Sequence, residues 1–296
     1  MFVRMLFIAT LLILPFPLAA SCPQLSEAVS DEVHSRLTHR LFRGQILSEK
    51  RFSANNNATE IYLLKVAGAH TQNTLEAIFK PRRWGDGGGF SRTPMEYVAY
   101  WLNRKLDMDF IPPTAYRRSV KVGHETLEGA IIYFTSPEIS HKNHRKLPDL
   151  RDKLTDQQFK KLLGFSKEAV FSDSRILNVM LQNRDAHLHN LLVGRHWVTG
   201  APSPVFIDFG ASLHPAPGGP IRMDDYQVYR NSAPVLHIRE RTLRKLKSLN
   251  LEQFKEVREF VTEEEAAHML QIRDGILNYY KHLIEEKGAA NVILPE

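Results

Sequence analysis

The chain has 296 residues, 43% hydrophobic and 24% charged, with a formal net charge of +6. This is ordinary globular composition, which excludes a disordered chain and a polytopic membrane protein and leaves room for one large domain or two modest ones sharing a core. No stretch resembles a nucleic-acid-binding module, so no nucleic acid is expected as a partner.

The opening stretch, MFVRMLFIATLLILPFPLAASC, has one Arg near its start, an apolar run from Leu6 to about Leu18, and small residues at Ala19, Ala20 and Ser21. That layout predicts a secretory signal over residues 1–21, and Pro15 and Pro17 argue against a spanning helix. Cleavage after Ala20 fits a signal peptidase, and a lipoprotein-type cleavage before Cys22 is the alternative. The chain is therefore expected to be exported (secreted, periplasmic or in a secretory lumen), with a lipid anchor at Cys22 as the alternative. Cys22 is the only cysteine, so no internal disulfide can form and stability must come from the core. Arg4 is the only charged residue of the signal, and its removal lowers the net charge by one.

Residues 22–44 read as an amino-terminal helical extension, with EAVSDEVHSRLTHRLFRG as a helix ending near Gly44. Strand-like runs follow around GQILSEKRF, TEIYLLKVAG and NTLEAIFKP, the first two joined by the polar turn SANNNA. The breaker-rich PRRWGDGGGFSR (81–92) reads as a connector, because Phe90 stands where a dinucleotide fingerprint needs its last Gly. The turn around Ser53 to Asn57 is the expected phosphate cover. In TPMEYVAYWLNRKLD, Tyr97, Val98, Trp101, Leu102 and Leu106 recur at helical spacing, with Thr93 as cap and Pro94 in the first turn. IPPTAYRRSVKV and TLEGAIIYFT read as two more strands.

From about Pro137 the pattern turns helical. One helix is expected over 156–182 and another over 262–288, the second with Thr262 and Glu265 at capping-box spacing and Gly288 at its end. Between them NLLVG and PVFID flank the turn HWVTGAPS and read as a hairpin. The basic stretches 141–146 and 237–247 read as solvated faces, with attraction to an anionic substrate, membrane or glycan as the alternative. Strand-rich and helix-rich halves predict an α+β, bilobal protein-kinase-like fold: a strand-rich N-lobe with one helix over 45–136 and a helical C-lobe over 137–296.

The chemistry-bearing residues come in an order of their own. Phosphoryl transfer needs a lysine on the nucleotide phosphates, a carboxylate to hold it, an Asp to orient the acceptor hydroxyl, and an Asn with a second Asp to bind Mg2+. Lys80 ends a strand on which alternation puts Glu76, Ile78 and Lys80 on one face. Glu96 lies in the first turn of the next helix. Asp185 and Asn190 in NRDAHLHN have the spacing of the kinase pattern H-R-D-x-x-x-x-N, with Asn183 in place of the His, and Asp208, Phe209 and Gly210 spell D-F-G after the hairpin. Each alone has a plain reading, Lys80 as a surface lysine and Glu96 as a solvated acid favoured by the helix dipole; the order of all of them is what points to a site. His187 and His189 with Asp185 and Asp208 leave a metal-dependent hydrolase as an alternative, against His187 merely orienting the loop and His189 being exposed.

AIFKP, MEYVAYWLNRKLDMDFIPPTAYRR, LEGAIIYF, NRDAHLHNLLV and VFIDFGASL together resemble the atypical kinases. These include the type II phosphatidylinositol 4-kinases of the phosphatidylinositol 3-/4-kinase group, the secretory-pathway kinases and, more distantly, HipA-like kinases. The resemblance runs from about Gln45 to about Leu249. It implies a phosphotransferase moving the γ-phosphate of ATP to a hydroxyl of a protein, sugar or inositol lipid, with ATP and Mg2+ (or Mn2+) as cofactors. Asp185 is then the catalytic Asp, Lys80 and Glu96 serve the phosphates, Asn190 and Asp208 hold the metal, and Tyr133, Phe134 and Thr135 present backbone groups to adenine. Three departures stand out: Ala186 follows Asp185 where an Arg is usual, Phe209 stands where the family often has a different residue before the Gly, and the chain lacks the disulfides of the secretory kinases. Membrane contact is expected only through the lipid anchor or the basic surface. A nucleotide-binding pseudokinase or scaffold and an AMP transferase are the remaining alternatives.

Overall fold

The computed structural model describes residues 27–52, 61–68, 71–82, 92–134, 145–213, 220–223 and 235–295. The signal and Cys22, the Ser53 to Asn57 turn, the Gly-rich stretch at 85–89, residues 141–144 and Thr135 lie outside these. Helix α1 (Glu27–Arg43) precedes strands β1 (Ile46–Phe52), β2 (Ile61–Gly68) and β3 (Thr71–Pro81); helix α2 (Pro94–Lys105) then leads to β4 (Thr114–Val122) and β5 (Glu125–Tyr133). The five strands form one antiparallel sheet in the order β1-β2-β3-β5-β4. Period-two alternation sorts β3: Leu75, Ala77 and Phe79 are buried, while Glu76, Ile78 and Lys80 share the other, partly exposed face.

Leu64, Val66, Phe79, Val120 and Ile131 make the core of this sheet, and α1 covers it with the fully buried Leu41. The Arg117 side chain ties the end of α1 to β4 by donating to the carbonyls of Leu41 and Gly44, both at 2.6 Å. From its middle α1 reaches a second set of residues. The buried His34 meets Asp109 Oδ1 at 2.7 Å and the Tyr100 hydroxyl at 2.9 Å, and Trp197 Nε1 lies 2.9 Å from the ring. His196 bonds the other oxygen of Asp109 at 3.0 Å. Burial pushes Asp109 up, but the hydrogen bonds from His196 and His34 outweigh it and hold the carboxyl well below the ordinary range.

The remainder is mainly helical: β6 (Arg145–Lys146), α3 (Leu147–Lys153), α4 (Asp156–Leu163), α5 (Lys167–Met180), the hairpin β7 (Leu191–Arg195) and β8 (Pro202–Phe206), β9 (Ile238–Arg239), α6 (Glu240–Ser248), α7 (Glu263–Lys287) and β10 (Ile293–Leu294). β6 adds to the hairpin, and β9 pairs with β10 in parallel. A large apolar core joins α2, α5, the hairpin, α6 and α7 through residues such as Met95, Leu102, Ile176, Phe206, Leu246 and Met269. The molecule is thus α+β, with a sheet-rich amino-terminal part and a helical carboxyl-terminal part. Among the described residues no helix is long and apolar enough to cross a membrane.

Three sequence expectations change. The single helix expected over 156–182 is two helices, because Gly164 takes the left-handed conformation (φ 76) that ends α4 and Ser166 caps α5 by accepting from the Ala169 amide. Thr93 does not cap α2; it is itself in the right-handed helical region, and its hydroxyl donates to the Pro81 carbonyl at 3.3 Å. The basic stretch at 237–247 is only partly a solvated face: Arg239 is buried against Asp173 at 2.5 Å, and Arg241 pairs with Asp107. The Thr262 and Glu265 capping box of α7 forms as its spacing predicts.

Candidate active site

Lys80 and Glu96 lie sixteen residues apart on β3 and α2, and meet because both elements feed the same interior. The apolar face of α2 is buried against β4, β5 and α5, which carries Glu96 inward until it is only 3% exposed. It is not a solvated first-turn acid. Its Oε1 accepts from Lys80 Nζ at 2.7 Å and from the Phe209 amide at 3.2 Å. Lys80 Nζ also donates to Asp208 Oδ1 at 2.9 Å. One ammonium thus stands between two carboxylates supplied by α2 and by the chain leaving β8.

The electrostatics follow from that count. Burial pulls the Lys80 ammonium down, but Glu96 and Asp208 more than reverse this and hold it well above its ordinary range. Lys80 holds the Asp208 carboxyl below its usual range against a smaller opposing effect of burial. Burial, aided by nearby Asp208, pushes Glu96 up although Lys80 pulls it back. Two acids thus face one base in this cluster.

Asp208 has φ 69, the left-handed region that few residues other than Gly adopt, although Asp tolerates it better than most. This turn points the Phe209 amide at Glu96 and leaves the Asp208 carbonyl to accept from Asn183 Nδ2 at 3.2 Å. Arg92 holds the next residue: its amide donates to the Gly210 carbonyl at 2.6 Å, and its guanidinium grips the Glu265 carboxylate and the Phe260 carbonyl at the start of α7.

The loop NRDAHLHN leaves α5 through Gln182, itself left-handed at φ 50, whose side chain bonds the Val179 and Ile221 carbonyls and accepts from the Ile221 amide. Asn183 is 1% exposed and serves three partners. Its Nδ2 donates to Asn178 Oδ1 at 2.9 Å as well as to Asp208, and its Oδ1 accepts from the Asp185 amide at 3.2 Å. Asp185 itself is 57% exposed, and His187 Nε2 lies 3.8 Å from its Oδ1. Desolvation raises the Asp185 carboxyl, with His187 acting in the opposite sense.

Asn190 closes a short 3-10 turn and donates Nδ2 to the Asp185 carbonyl at 3.2 Å, which fixes the amide so that its oxygen is the end left for a cation. Asp208 and Asn190 offer oxygen donors only, the chemistry of a hard ion such as Mg2+, which takes one or two protein groups and completes its shell from phosphates and water. His187 and His189 stack edge to face at 5.6 Å, and His189 is exposed. Among the described residues no three His, Cys, Asp or Glu side chains form a metal-ligand cluster, so the hydrolase alternative lacks its ligand set there.

The structure therefore brings Lys80, Glu96 and Asp208 into contact, ties Asp185 to Asp208 through Asn183, and bonds Asn190 to Asp185. At the expected adenine strand the Tyr133 amide donates to the Pro113 carbonyl at 2.8 Å and the Phe134 amide to the Glu76 carbonyl at 3.0 Å, while Thr135 lies outside the described residues. Sequence reasoning missed the roles of Asn178, Gln182 and Arg92. The one available signal was the run of polar residues on the buried helix α5, where Ser172, Asp173, Ser174 and Asn178 are all inside.

No family model matches the chain, and no curated protein matches it. Among solved structures, hydra Fam20 with sugar is similar, with a TM-score of 0.61 over 88% of this chain and 92% of that one. Identity is 13%, so the likeness is one of fold, and the fold is kinase-like.

Proposed function

We propose that the chain is a metal-dependent phosphotransferase that moves the γ-phosphate of ATP to a hydroxyl. The observation that carries this reading is the cluster itself: Lys80 paired with both Glu96 and Asp208, on a kinase-like fold whose Asp185 and Asn190 loop is fastened to Asp208 by Asn183. A pair such as Lys80 and Glu96 alone can be structural. The addition of an exposed Asp185 and an oxygen-donor pair beside it suits chemistry rather than stability.

Each residue then has a task. Lys80, kept protonated by its carboxylates, places a fixed positive charge against the nucleotide phosphates. Glu96 holds that charge in position and, through the Phe209 amide, holds the chain that carries Asp208. Asp208 and the amide oxygen of Asn190 would hold Mg2+, or Mn2+, which would supply neutralisation of phosphate charge. Asp185 accepts a hydrogen bond from the acceptor hydroxyl and orients its oxygen for in-line attack. Its exposure leaves room for a bulky acceptor. Protein, sugar and inositol-lipid hydroxyls are the candidate classes, and the sugar in the hydra Fam20 structure puts glycans first. Export by residues 1–21 belongs to the same proposal.

The test is product release from Mg·ATP by the purified protein beside Asp208→Ala, with glycan, protein and inositol-lipid acceptors in parallel. ADP formation that needs an acceptor and disappears in the variant supports phosphoryl transfer. Covalent AMP on the acceptor redirects the reading to adenylyl transfer. ATP binding with neither product across the whole panel favours a pseudokinase.

A further inference from the structure

We propose that Lys80 keeps the Asp208 carboxylate closed to divalent metal until a nucleotide draws the lysine away, so that metal and nucleotide each strengthen the binding of the other. The inference rests on the phosphotransferase reading above and concerns how that site is loaded. Lys80 Nζ sits 2.9 Å from Asp208 Oδ1 and 2.7 Å from Glu96 Oε1. A divalent cation that reaches Asp208 meets an ammonium already bonded to Oδ1, and the repulsion between the two charges at this range weakens its binding at either carboxylate oxygen.

The three partners are not equally fixed. The Glu96 side chain is 4% exposed and also accepts from the Phe209 amide, whereas the Asp208 side chain is 46% exposed. Glu96 is therefore the anchor and Asp208 the end that lets go. An ammonium has three donors, of which these carboxylates take two, so polyphosphate first engages the third and its negative charge then competes with the half-exposed Asp208 for the ammonium. Polyphosphate oxygens replace Asp208 as the second anionic partner while Lys80 stays on Glu96. That exchange frees Asp208 for the cation, and the gain is reciprocal by thermodynamic linkage.

The experiment titrates the purified protein with Mn2+ as probe, followed by electron paramagnetic resonance, with and without a non-hydrolysable ATP analogue. For wild type the Mn2+ affinity is expected to rise at least about tenfold with the analogue. Lys80→Met alone leaves the buried Glu96 unpaired, so the principal variant is Lys80→Met with Glu96→Gln, which removes ammonium and counter-charge together. Without nucleotide this double variant is expected to bind Mn2+ at least about tenfold more tightly than wild type, and adding Asp208→Asn is expected to remove the gain. A wild-type affinity unchanged by the analogue, a double variant no tighter than wild type, or a gain that survives Asp208→Asn overturns the proposal. If the double variant gains Mn2+ affinity at Asp208 while wild type forms no product from ATP, the loading mechanism stands and the phosphotransferase reading fails.

Discussion

Asn183→Ala tests whether one buried amide holds the candidate site together. Truncation removes two donated bonds, to Asn178 Oδ1 and to the Asp208 carbonyl, and the acceptor of the Asp185 amide. Asn178 is 7% exposed, so its oxygen loses its partner where water has little access. A buried polar group left unpaired costs about 1–3 kcal/mol. The Asp185 amide and the Asp208 carbonyl lose bonds that are only partly buried and recover part of their loss from solvent, adding about 1 kcal/mol. The expected destabilisation is about 2–4 kcal/mol, read as a lower midpoint in urea with an unchanged slope. Asn183→Asp keeps the acceptor for Asp185 but loses both donors and places a carboxylate beside two others, so it is expected to be no more stable than the alanine variant. A loss below about 0.5 kcal/mol, the range of ordinary surface changes, would refute the reasoning and make the three bonds incidental.

Two further outcomes follow from the packing and the charges. A Cβ at Gly129 would fall on the Lys80 carbonyl and 2.7 Å from the Phe79 ring, so Gly129→Ala is expected to cost at least about 2 kcal/mol and to displace Lys80; a thermal midpoint equal to wild type would show that β5 can move away freely. Asp109 has a depressed folded pKa, so its contribution is complete above the ordinary carboxylate pKa of about 4 and is lost as pH falls below it. Asp109→Asn keeps a residue that accepts the left-handed backbone at φ 58, and its urea midpoint is expected to fall less than that of wild type between about pH 5 and pH 2.5. Equal falls in the two proteins would move the acid sensitivity elsewhere.

Most elements were legible because local rules sufficed. β3 shows its alternation openly, α2 shows its apolar spacing, and the α7 capping box forms at the residues its spacing names. The break between α4 and α5 was also written locally, in Gly164 and Ser166, but the continuous apolar periodicity of 156–182 hid it. At the candidate site, the order of Lys80, Glu96, Asp185, Asn190 and Asp208 anticipated a cluster, and three of these side chains do touch. What the order did not contain is the scaffolding between them. Asn183 reads as a member of the motif, at the position of its His, but without its partners; Arg92 reads as the tail of a glycine-rich connector, and His34 is one residue of the expected amino-terminal helix. Their partners lie 25, 173 and 75 positions away, for Asp208, Glu265 and Asp109 respectively, and no periodicity links residues across such distances.

Helix α1 is riveted at two points, His34 in its middle and Leu41 near its end, to different parts of the molecule. Leu41 plugs the sheet, while His34 sits among Tyr100, Asp109 and Trp197, which belong to α2, its following loop and the hairpin turn. A protein shortened to begin at the first strand would uncover Leu64 and Val66 and strand the Asp109 carboxylate in the same stroke. The smallest piece expected to fold therefore starts at α1, and tension applied there would load the sheet and the hairpin side by side rather than one after the other.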